Sequence, residues 1–268
     1  MSTYTYSAHK KNKLSGRSDS VKTERLYNLK PENTLFVPGL WLNPKGQLAA
    51  KIGEDATVLD ILGIPNIGLR ILKLVNYLEG HPEVTNLVGH SAGCYVIAEA
   101  IRCGLCRSVK KIVLLNPAPM PGTKFSPKDL VFWLLAKPSY LWRMITGKDI
   151  QLSRGDTKRL LSLTEEQVAE LTEGNSLVAD SGVFMRRIVL NQFAEPWDGT
   201  LVREDVAFTI VTADHDKMVD STSRRTNDVL CRNYRIPVVI HIPGGHLFTL
   251  RNFKDTVGRI LKDYKRLK

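Results

Sequence analysis

With 268 residues, of which 43% are hydrophobic and 24% charged, the chain can bury a sizeable core and has the composition of an ordinary globular protein. No apolar stretch approaches the roughly 20 residues of a membrane-spanning helix, and the first residues lack the apolar segment of a secretory signal. These properties argue against a transmembrane or secreted protein, and the expected location is cytoplasmic.

The net charge of +11 is concentrated at the two ends of the chain. Residues 1–30 and residues 251–268 each hold seven Lys or Arg against two Asp or Glu, so the centre is nearly neutral. Basic ends can attract nucleic acid or an anionic membrane surface. Because no nucleic-acid-binding motif accompanies them, we interpret them as solvated ends and expect neither partner.

In chain order, segment 1–32 predicts either an edge hairpin, from Thr3–Ser7 and Val21–Leu29, or a mobile region. Beyond it, short runs rich in Val, Ile, Leu and Phe do not alternate cleanly with polar residues, which is typical of strands covered on both faces. These runs are Thr34–Val37, Ala56–Leu62, Val84–Val88, Lys111–Leu115, Val206–Val211 and Pro237–Ile242. Helical patterns separate them at Ile67–Leu78, Ala92–Leu105, Ser221–Asn233 and Phe248–Tyr264. The alternation predicts an α/β fold with a doubly wound, mostly parallel sheet.

Residues 120–200 break this alternation and predict a helical insertion into a core formed by residues 33–119 and 201–268. Helix starts are marked by Ser126 and by Thr164, and the second helix should end at Gly174. The run 130–136 is apolar at seven consecutive positions. One docking face of a helix cannot bury all seven, so part of this surface should meet another helix, a substrate cavity or a partner.

The segment Gly89-His90-Ser91-Ala92-Gly93 carries the strongest chemical signal. It lies between a strand-like run and a helical one, which is the setting of a nucleophile elbow, a sharp turn that exposes a serine hydroxyl above the sheet. We expect glycine at both ends because side chains at Gly89 and Gly93 would crowd each other. The N–H of Ala92, at a helix amino end, would stabilise an oxyanion. A structural turn with serine as the helix cap is the alternative.

A serine nucleophile needs a base, and His246 is the best placed of the six histidines. It follows two glycines just beyond a buried strand, and sites gather at the carboxyl ends of the strands in open α/β sheets. His90 should point away from the serine hydroxyl. His241, inside a strand, should have a core role.

The acid should come from the loop after Val206–Val211, which contains Asp214, Asp216 and Asp220. A carboxylate there would hold the imidazole tautomer and stabilise the imidazolium. Asp216 is the preferred candidate and Asp214 the alternative, while Asp220 is expected to cap the next helix.

The elbow, the acid loop and the late Gly-His occur in an order that resembles the α/β-hydrolase superfamily over residues 33–268. The resemblance implies a serine hydrolase with Ser91 as nucleophile, Asp216 as acid and His246 as base. It also implies that the insertion at 120–200 forms a cap over the site.

The oxyanion loop of that superfamily corresponds here to Val37-Pro38-Gly39-Leu40-Trp41, in which Pro stands where the family often has His. The resemblance implies the backbone N–H of Leu40 as the second oxyanion donor, with that of Trp41 as the alternative. Because the donor is a backbone group, the Pro need not remove activity.

The expected activity is hydrolysis of a carboxylic ester of a small to medium apolar substrate through an acyl-enzyme, with water as the second substrate. Trp41, Trp133 and Trp142 are expected to line the substrate pocket. Thioester, lactone or peptide substrates on the same triad are alternatives, as is a non-catalytic ligand-binding relative. No dinucleotide or phosphate-loop motif occurs, and His215 lacks the further ligands of a zinc site, so we expect no cofactor and no metal.

Overall fold

A six-stranded sheet forms the centre of the computed structural model, which describes residues 30–104, 106–123, 137–191, 206–218 and 239–263. The strands are β1 Thr34–Val37, β2 Thr57–Val58, β3 Asn86–His90, β4 Lys111–Leu115, β5 Ala207–Ala213 and β6 Val239–Ile242. All neighbouring strands pair in parallel, in the order β2-β1-β3-β4-β5-β6. The predicted doubly wound parallel sheet is confirmed.

The strands form at the apolar runs because the sheet is covered on both faces. β1 is buried along its whole length, and β3 and β4 are buried at every position after the first. Parallel sheets have this double cover, which explains why polar residues do not alternate along these runs. The predicted strand 56–62 is much shorter in the structure. Only Thr57–Val58 pairs with β1, and the chain then turns at Gly63, whose φ is 72°.

The order of the strands decides where a site can form. From β1 the chain crosses to β2 on one side and returns to β3 on the other, so the winding reverses between β1 and β3. Val37 pairs with Gly89 and His90 pairs with Leu115, so the carboxyl ends of β1, β3 and β4 lie level. In sheets of this kind ligands bind in the crevice beside the switch point.

Helices form where the sequence predicts them after Ile67 and after Ala92, and the last predicted helix is divided in two. The helix predicted from Phe248 to Tyr264 is two helices, because Asn252 leaves the helical conformation. Phe253, the first residue of the second helix, packs its ring nearly perpendicular to that of Phe36, with 5.4 Å between the ring centroids. The described helices are α1 Gln47–Gly53, α2 Ile67–Gly80, α3 Ala92–Arg102, α4 Pro138–Thr146, α5 Arg154–Leu160, α6 Glu165–Glu173, α7 Gly182–Asn191, α8 Phe248–Arg251 and α9 Phe253–Asp263.

Helices α4 to α7 lie between β4 and β5 in the chain, where the sequence predicts the helical insertion. The start at Thr164 is confirmed, since its hydroxyl and the side chain of Gln167 form a reciprocal capping box, and α6 ends at Gly174. Several predictions lie outside the described residues: the hairpin in 1–32, the helix start at Ser126, the apolar run 130–136, and the helix at Ser221–Asn233. No helix in the described part of the chain is long and apolar enough to cross a membrane.

A buried ion pair fastens this insertion to α2. The Arg70 guanidinium lies 2.8 Å from the Asp180 carboxylate, and both side chains are 1% exposed. The guanidinium also donates to the Ile64 carbonyl and stacks over the Phe184 ring, 3.8 Å from its centroid. Burial lowers the pKa of Arg70, and the Asp180 charge opposes this effect.

Removing one charge of this pair should be costly. Asp180→Asn leaves the Arg70 cation buried without a counter-charge, so we expect the free energy of unfolding to fall by about 3 to 5 kcal/mol. Urea denaturation measures the loss. The matched control is Glu170→Gln, which removes the partner of Arg251 from an exposed pair and should cost less than about 1 kcal/mol. Equal losses in the two variants would contradict a structural role for the buried pair.

Candidate active site

Ser91 occupies a strained turn between β3 and α3. Its φ of 49° and ψ of −119° lie outside the regions that non-glycine residues favour. Hydrogen bonds hold the turn on both sides: the Ser91 N–H donates to the Leu115 carbonyl at 3.0 Å, and the Ser91 carbonyl accepts from the N–H of Cys94 and of Ala118. Strain of this kind persists only where the surrounding structure enforces it, and it is typical of functional sites.

The two glycines of the turn are required by their close neighbours. A Cβ at Gly93 would collide with the carbonyl oxygens of Val37 and Pro38, at the end of β1. A Cβ at Gly89 would lie 2.7 Å from Ile97 Cδ1 and 3.1 Å from the Cys94 backbone. The nearest atoms therefore belong to β1, the residue after it and α3, and the predicted crowding between the two positions stays a prediction.

The loop after β1 passes close against the elbow. A Cβ at Gly39 would lie 2.8 Å from Ser91 Cβ and 3.1 Å from the carbonyl oxygen of His90. Leu40 follows directly, and Ala92 is the first residue of α3, so its N–H is one of the helix donors that have no partner within the helix. The two predicted oxyanion donors thus come from backbone segments on either side of Ser91.

His246 and Asp216 form a buried pair at the carboxyl ends of the last two strands. Nδ1 of His246 lies 2.8 Å from Oδ2 of Asp216, with side chains 3% and 1% exposed. Oδ1 of the same carboxylate accepts the Met218 N–H at 2.8 Å. A carboxylate only accepts, so Nδ1 of the imidazole carries the proton of this hydrogen bond and Nε2 is left with a lone pair whenever the ring is neutral.

The alternative acid, Asp214, does not share this position. Asp214 is exposed. Its N–H donates to the Ile242 carbonyl, so its backbone continues the hydrogen-bond ladder between β5 and β6. The next residue, His215, donates its N–H to the Gly244 carbonyl and fastens the acid loop to the loop that carries His246. Asp220, the predicted helix cap, lies outside the described residues.

The three predicted pocket tryptophans have different surroundings. Trp41 is 4% exposed and donates its indole N–H to the Ile150 carbonyl at 3.0 Å, so it links the loop after β1 to the insertion. Trp142 is 61% exposed on α4. Trp133 lies outside the described residues, and the pocket assignment stays a prediction for all three.

A cavity with polar and apolar walls lies beside the acid and base loops. It has a volume of about 680 Å³, lies between α1, α6 and α8, and includes His215, Gly244 and Gly245 in its walls. Neither Ser91 nor His246 lines it. Within the described ranges, no group of three His, Cys, Asp or Glu side chains could hold a metal ion.

The sequence also matches the family model described as "Alpha/beta hydrolase family", over residues 35–259. The chain belongs to the alpha/beta hydrolase family. No curated protein sequence matches it.

Solved structures of low sequence identity share the alpha/beta hydrolase fold. A lipase-esterase related protein from Clostridium acetobutylicum ATCC 824 is 15% identical, with 89% of this chain and 97% of that chain covered and a TM-score of 0.60. A soluble variant of monoglyceride lipase from Saccharomyces cerevisiae is 11% identical, with 86% of each chain covered and a TM-score of 0.60. An esterase from Rhodococcus sp. ECU1013 is 14% identical, with 85% and 89% covered and a TM-score of 0.58.

The sequence did not predict two contacts of the His246 main chain in this alpha/beta hydrolase. Nε2 of His90 and Nδ2 of Asn116 both lie within hydrogen-bond distance of the His246 carbonyl oxygen, at 3.0 and 2.7 Å. For Asn116 a signal existed, because it is a polar residue directly after a buried strand, which is the criterion that selected His246. The expected core role of His241 is wrong, since this residue is exposed on β6 and its Nδ1 lies 2.7 Å from the Thr212 hydroxyl.

The buried His90 should make stability depend on pH. Burial, and secondarily the neighbouring His246, lowers the pKa of His90 from 6.5 to about 3. Between these values the unfolded chain binds a proton that the folded protein does not, so the free energy of unfolding should fall as pH decreases below about 6.5. Each pH unit should cost up to about 1.4 kcal/mol.

Urea denaturation between pH 7 and 5 of the wild type and of His90→Gln checks this prediction. The variant lacks the titrating group, so its free energy of unfolding should depend less on pH. The slope against pH should be smaller than that of the wild type by an amount that corresponds to about one bound proton. Identical slopes for the two proteins would show that His90 does not titrate abnormally.

Proposed function

We propose that this alpha/beta hydrolase is a serine esterase that cleaves carboxylic esters of small to medium apolar substrates. Ser91 Oγ attacks the ester carbonyl carbon while Nε2 of His246 takes the serine proton. His246 then gives this proton to the leaving alcohol, and the acyl group stays on Ser91. Water, deprotonated by His246, attacks the acyl-enzyme and releases the acid, and the serine regains its proton.

The hydrogen bond between His246 and Asp216 is the observation that carries the proposal. At 2.8 Å and almost fully buried, it fixes the tautomer in which Nε2 can accept a proton, and it offers a counter-charge to the imidazolium. The ring lies 4.8 Å, between centroids, from that of His90, which directly precedes Ser91. A histidine that is oriented by a carboxylate, and that contacts the residue before a strained serine, supports nucleophilic catalysis.

The surrounding charges favour the same mechanism. Because burial lowers the pKa of His90 to about 3, this neighbour is neutral near pH 7 and does not repel an imidazolium on His246. The backbone N–H groups of Leu40 and Ala92 are the candidate donors to the tetrahedral oxyanion. Such donors, fixed before the reaction begins, typically make one of the largest contributions to catalysis.

Burial of the site favours an uncharged substrate. Ser91 is only 9% exposed and His246 3%, so a charged acyl group would lose its hydration near them. The fold-level neighbours include proteins described as an esterase and a monoglyceride lipase, which supports an ester as the substrate. Each methylene buried in the transition state should add up to about 0.8 kcal/mol of binding.

Labelling with a fluorophosphonate, followed by peptide mass spectrometry, tests the serine mechanism. We expect a single modification on Ser91, and none after the protein is unfolded. A protein that binds esters but neither labels nor turns them over would be the non-catalytic relative, and the proposal would fail.

A panel of p-nitrophenyl esters from acetyl to decanoyl tests the substrate class. We expect kcat/KM to rise to about hexanoyl or octanoyl, by at most about fourfold per methylene, and then to fall as the pocket fills. An efficiency maximum at acetyl would overturn the apolar substrate while leaving the serine mechanism intact. A matched thioester series separates an esterase from a thioesterase.

A further inference from the structure

The backbone carbonyl of His246 lies between two buried side chains that have no part in the proposed mechanism. Nε2 of His90 is 3.0 Å from the carbonyl oxygen and Nδ2 of Asn116 is 2.7 Å from it. His90 is 3% exposed and Asn116 is 1% exposed. A carbonyl oxygen has two lone pairs, so these two donors can saturate it.

The two donors reach the carbonyl from neighbouring strands. His90 is the last residue of β3 and pairs in register with Leu115, which directly precedes Asn116. The Asn116 backbone is itself fixed, because its N–H donates to the Val211 carbonyl of β5 at 2.7 Å. The carbonyl of His246 is thereby tied to the centre of the sheet, whereas its ring is tied to Asp216 at the end of β5.

The buried amide of Asn116 carries a cost that favours a specific role. Its φ of 44° is left-handed, and its Oδ1 is buried with no hydrogen-bond partner among the described residues. A buried polar atom without a partner is unfavourable, and an apolar side chain would avoid the penalty. The useful part of this amide is therefore Nδ2, which donates to the His246 carbonyl.

The chemistry of His90 fits the same role. The carbonyl can only accept, so Nε2 of His90 carries the proton, and burial keeps the ring neutral by lowering its pKa to about 3. Its Nδ1 faces the loop after β1, since a Cβ at Gly39 would lie 3.1 Å from that atom. One ring thus contacts both the oxyanion loop and the main chain of the base.

We propose that His90 and Asn116 are positioning residues, whose hydrogen bonds to the His246 carbonyl hold the imidazole in line between Asp216 and Ser91. Two consecutive glycines precede His246, and Gly244 has a φ of 136°, so the chain before the base has little stiffness of its own. Fixing both the carbonyl and the ring removes this freedom. The inference rests on the proposed serine mechanism and adds two residues that act through His246.

The test compares variants that remove a donor with variants that keep one. His90→Leu and Asn116→Gly each remove one donor, and glycine tolerates the left-handed φ at position 116. We expect each to lower kcat for p-nitrophenyl butyrate about 10- to 100-fold, since misplacement of a catalytic group by about 1 Å costs rates of this order. KM should change less than threefold. His90→Gln keeps an N–H at the same number of bonds from Cα and should restore kcat to within about fivefold of wild type.

Matched controls exist at the other edge of the sheet and in the insertion. Nδ1 of His81 also bonds a backbone carbonyl, that of Tyr77, but His81 precedes β3 and so lies at the amino edge. Asn175 has a φ of 45°, as Asn116 does, and is exposed. We expect His81→Leu and Asn175→Gly to keep kcat within about twofold.

The pH profile separates positioning from proton transfer. Wild-type kcat should rise with pH as the histidine base loses its proton. His90→Gln should keep this limb of the profile, because the base is His246. If His90→Gln loses as much kcat as His90→Leu and also loses the limb, His90 is a proton carrier and the positioning role is wrong. If both donor-removing variants lower Tm but keep wild-type kcat, the hydrogen bonds are structural and the proposal fails.

A measurement that needs no turnover keeps this inference distinct from the proposed function. The Nδ1 proton of His246, held against Asp216, should give a low-field proton resonance in the wild type, in Ser91→Ala and in His90→Gln. This resonance should broaden or vanish in His90→Leu and Asn116→Gly. Its persistence in both would overturn the positioning role, even if the wild type hydrolyses no ester. If the protein hydrolyses no ester but the resonances behave as expected, only the proposed esterase function is contradicted, and the positioning role stands.

Discussion

If Ser91 is the nucleophile, replacing it with alanine should lower the rate of ester hydrolysis by about 10⁵- to 10⁶-fold, as loss of the nucleophile does in a well-studied serine protease. The oxygen that forms the acyl-enzyme is removed, so the bound ester can react only with water, and the oxyanion donors and substrate contacts give the residual rate. The fold should survive, because alanine has a Cβ like serine and meets the same strain at a φ of 49°.

The measurement is kcat/KM with p-nitrophenyl butyrate and the rate of fluorophosphonate labelling, together with the urea midpoint as a check on folding. Ser139→Ala is the matched control, since Ser139 lies exposed on α4 and should keep activity within about twofold. Retention of more than a tenth of wild-type turnover by Ser91→Ala would show that another group is the nucleophile.

The sheet could be predicted because its strands are buried on both faces. A run such as Lys111–Leu115 contains four successive apolar residues that all become buried, and the predicted bounds agree with β4. The observed strand bounds differ from the predicted ones where the ends of a strand are polar. β3 begins at Asn86 rather than Val84, because Val84 donates its N–H to the His81 carbonyl in a turn.

Local sequence also selected Ser91 and His246 as candidates, because parallel strands end at one edge of the sheet and the residues that follow them meet there. The interaction of His90 could not be predicted in this way. Its acceptor, the His246 carbonyl, is 156 positions further along the chain. Nothing in the elbow sequence tells which carbonyl a ring will meet, so only the packing of β3 against the base loop reveals it.

The elbow glycines show the same limit on a smaller scale. Their need is readable from the sequence, but the atoms that exclude a side chain at Gly93 belong to β1 and the loop after it, which the motif does not contain. Trp41 is similar, since the acceptor of its indole N–H, Ile150, lies in the insertion. Contacts between distant segments decide these roles, whereas strand and turn preferences are local.

Asp216, and not Asp214, is the hydrogen-bond partner of His246, and the loop itself contains the reason. Asp216 donates its N–H to the Ala213 carbonyl, and its Oδ1 accepts the Met218 N–H two residues ahead. Asp and Asn favour turns of this kind, in which the side chain bonds the backbone two residues on. This Asx-turn directs the second carboxylate oxygen to His246, while Asp214 continues the ladder with β6.

Asp216→Asn should lower kcat by about 10³- to 10⁴-fold, and Asp214→Asn should change it by less than about threefold. In the Asp216→Asn variant the Met218 N–H still needs an acceptor, so it selects the amide orientation with the oxygen toward Met218 and the NH₂ group toward His246. Nδ1 of His246 must then accept a hydrogen bond and its proton moves to Nε2, which can no longer take the proton of Ser91. A tautomer error of this kind costs about 10⁴ in kcat in a serine protease with the same arrangement.

Asp214→Asn removes an exposed charge that holds no imidazole, so it controls for the general effect of losing an acid from this loop. Steady-state kinetics near pH 7.5 on both variants measures the difference. The reverse order would assign the acid to Asp214, and two small effects would mean that His246 does not need a carboxylate to act as the base.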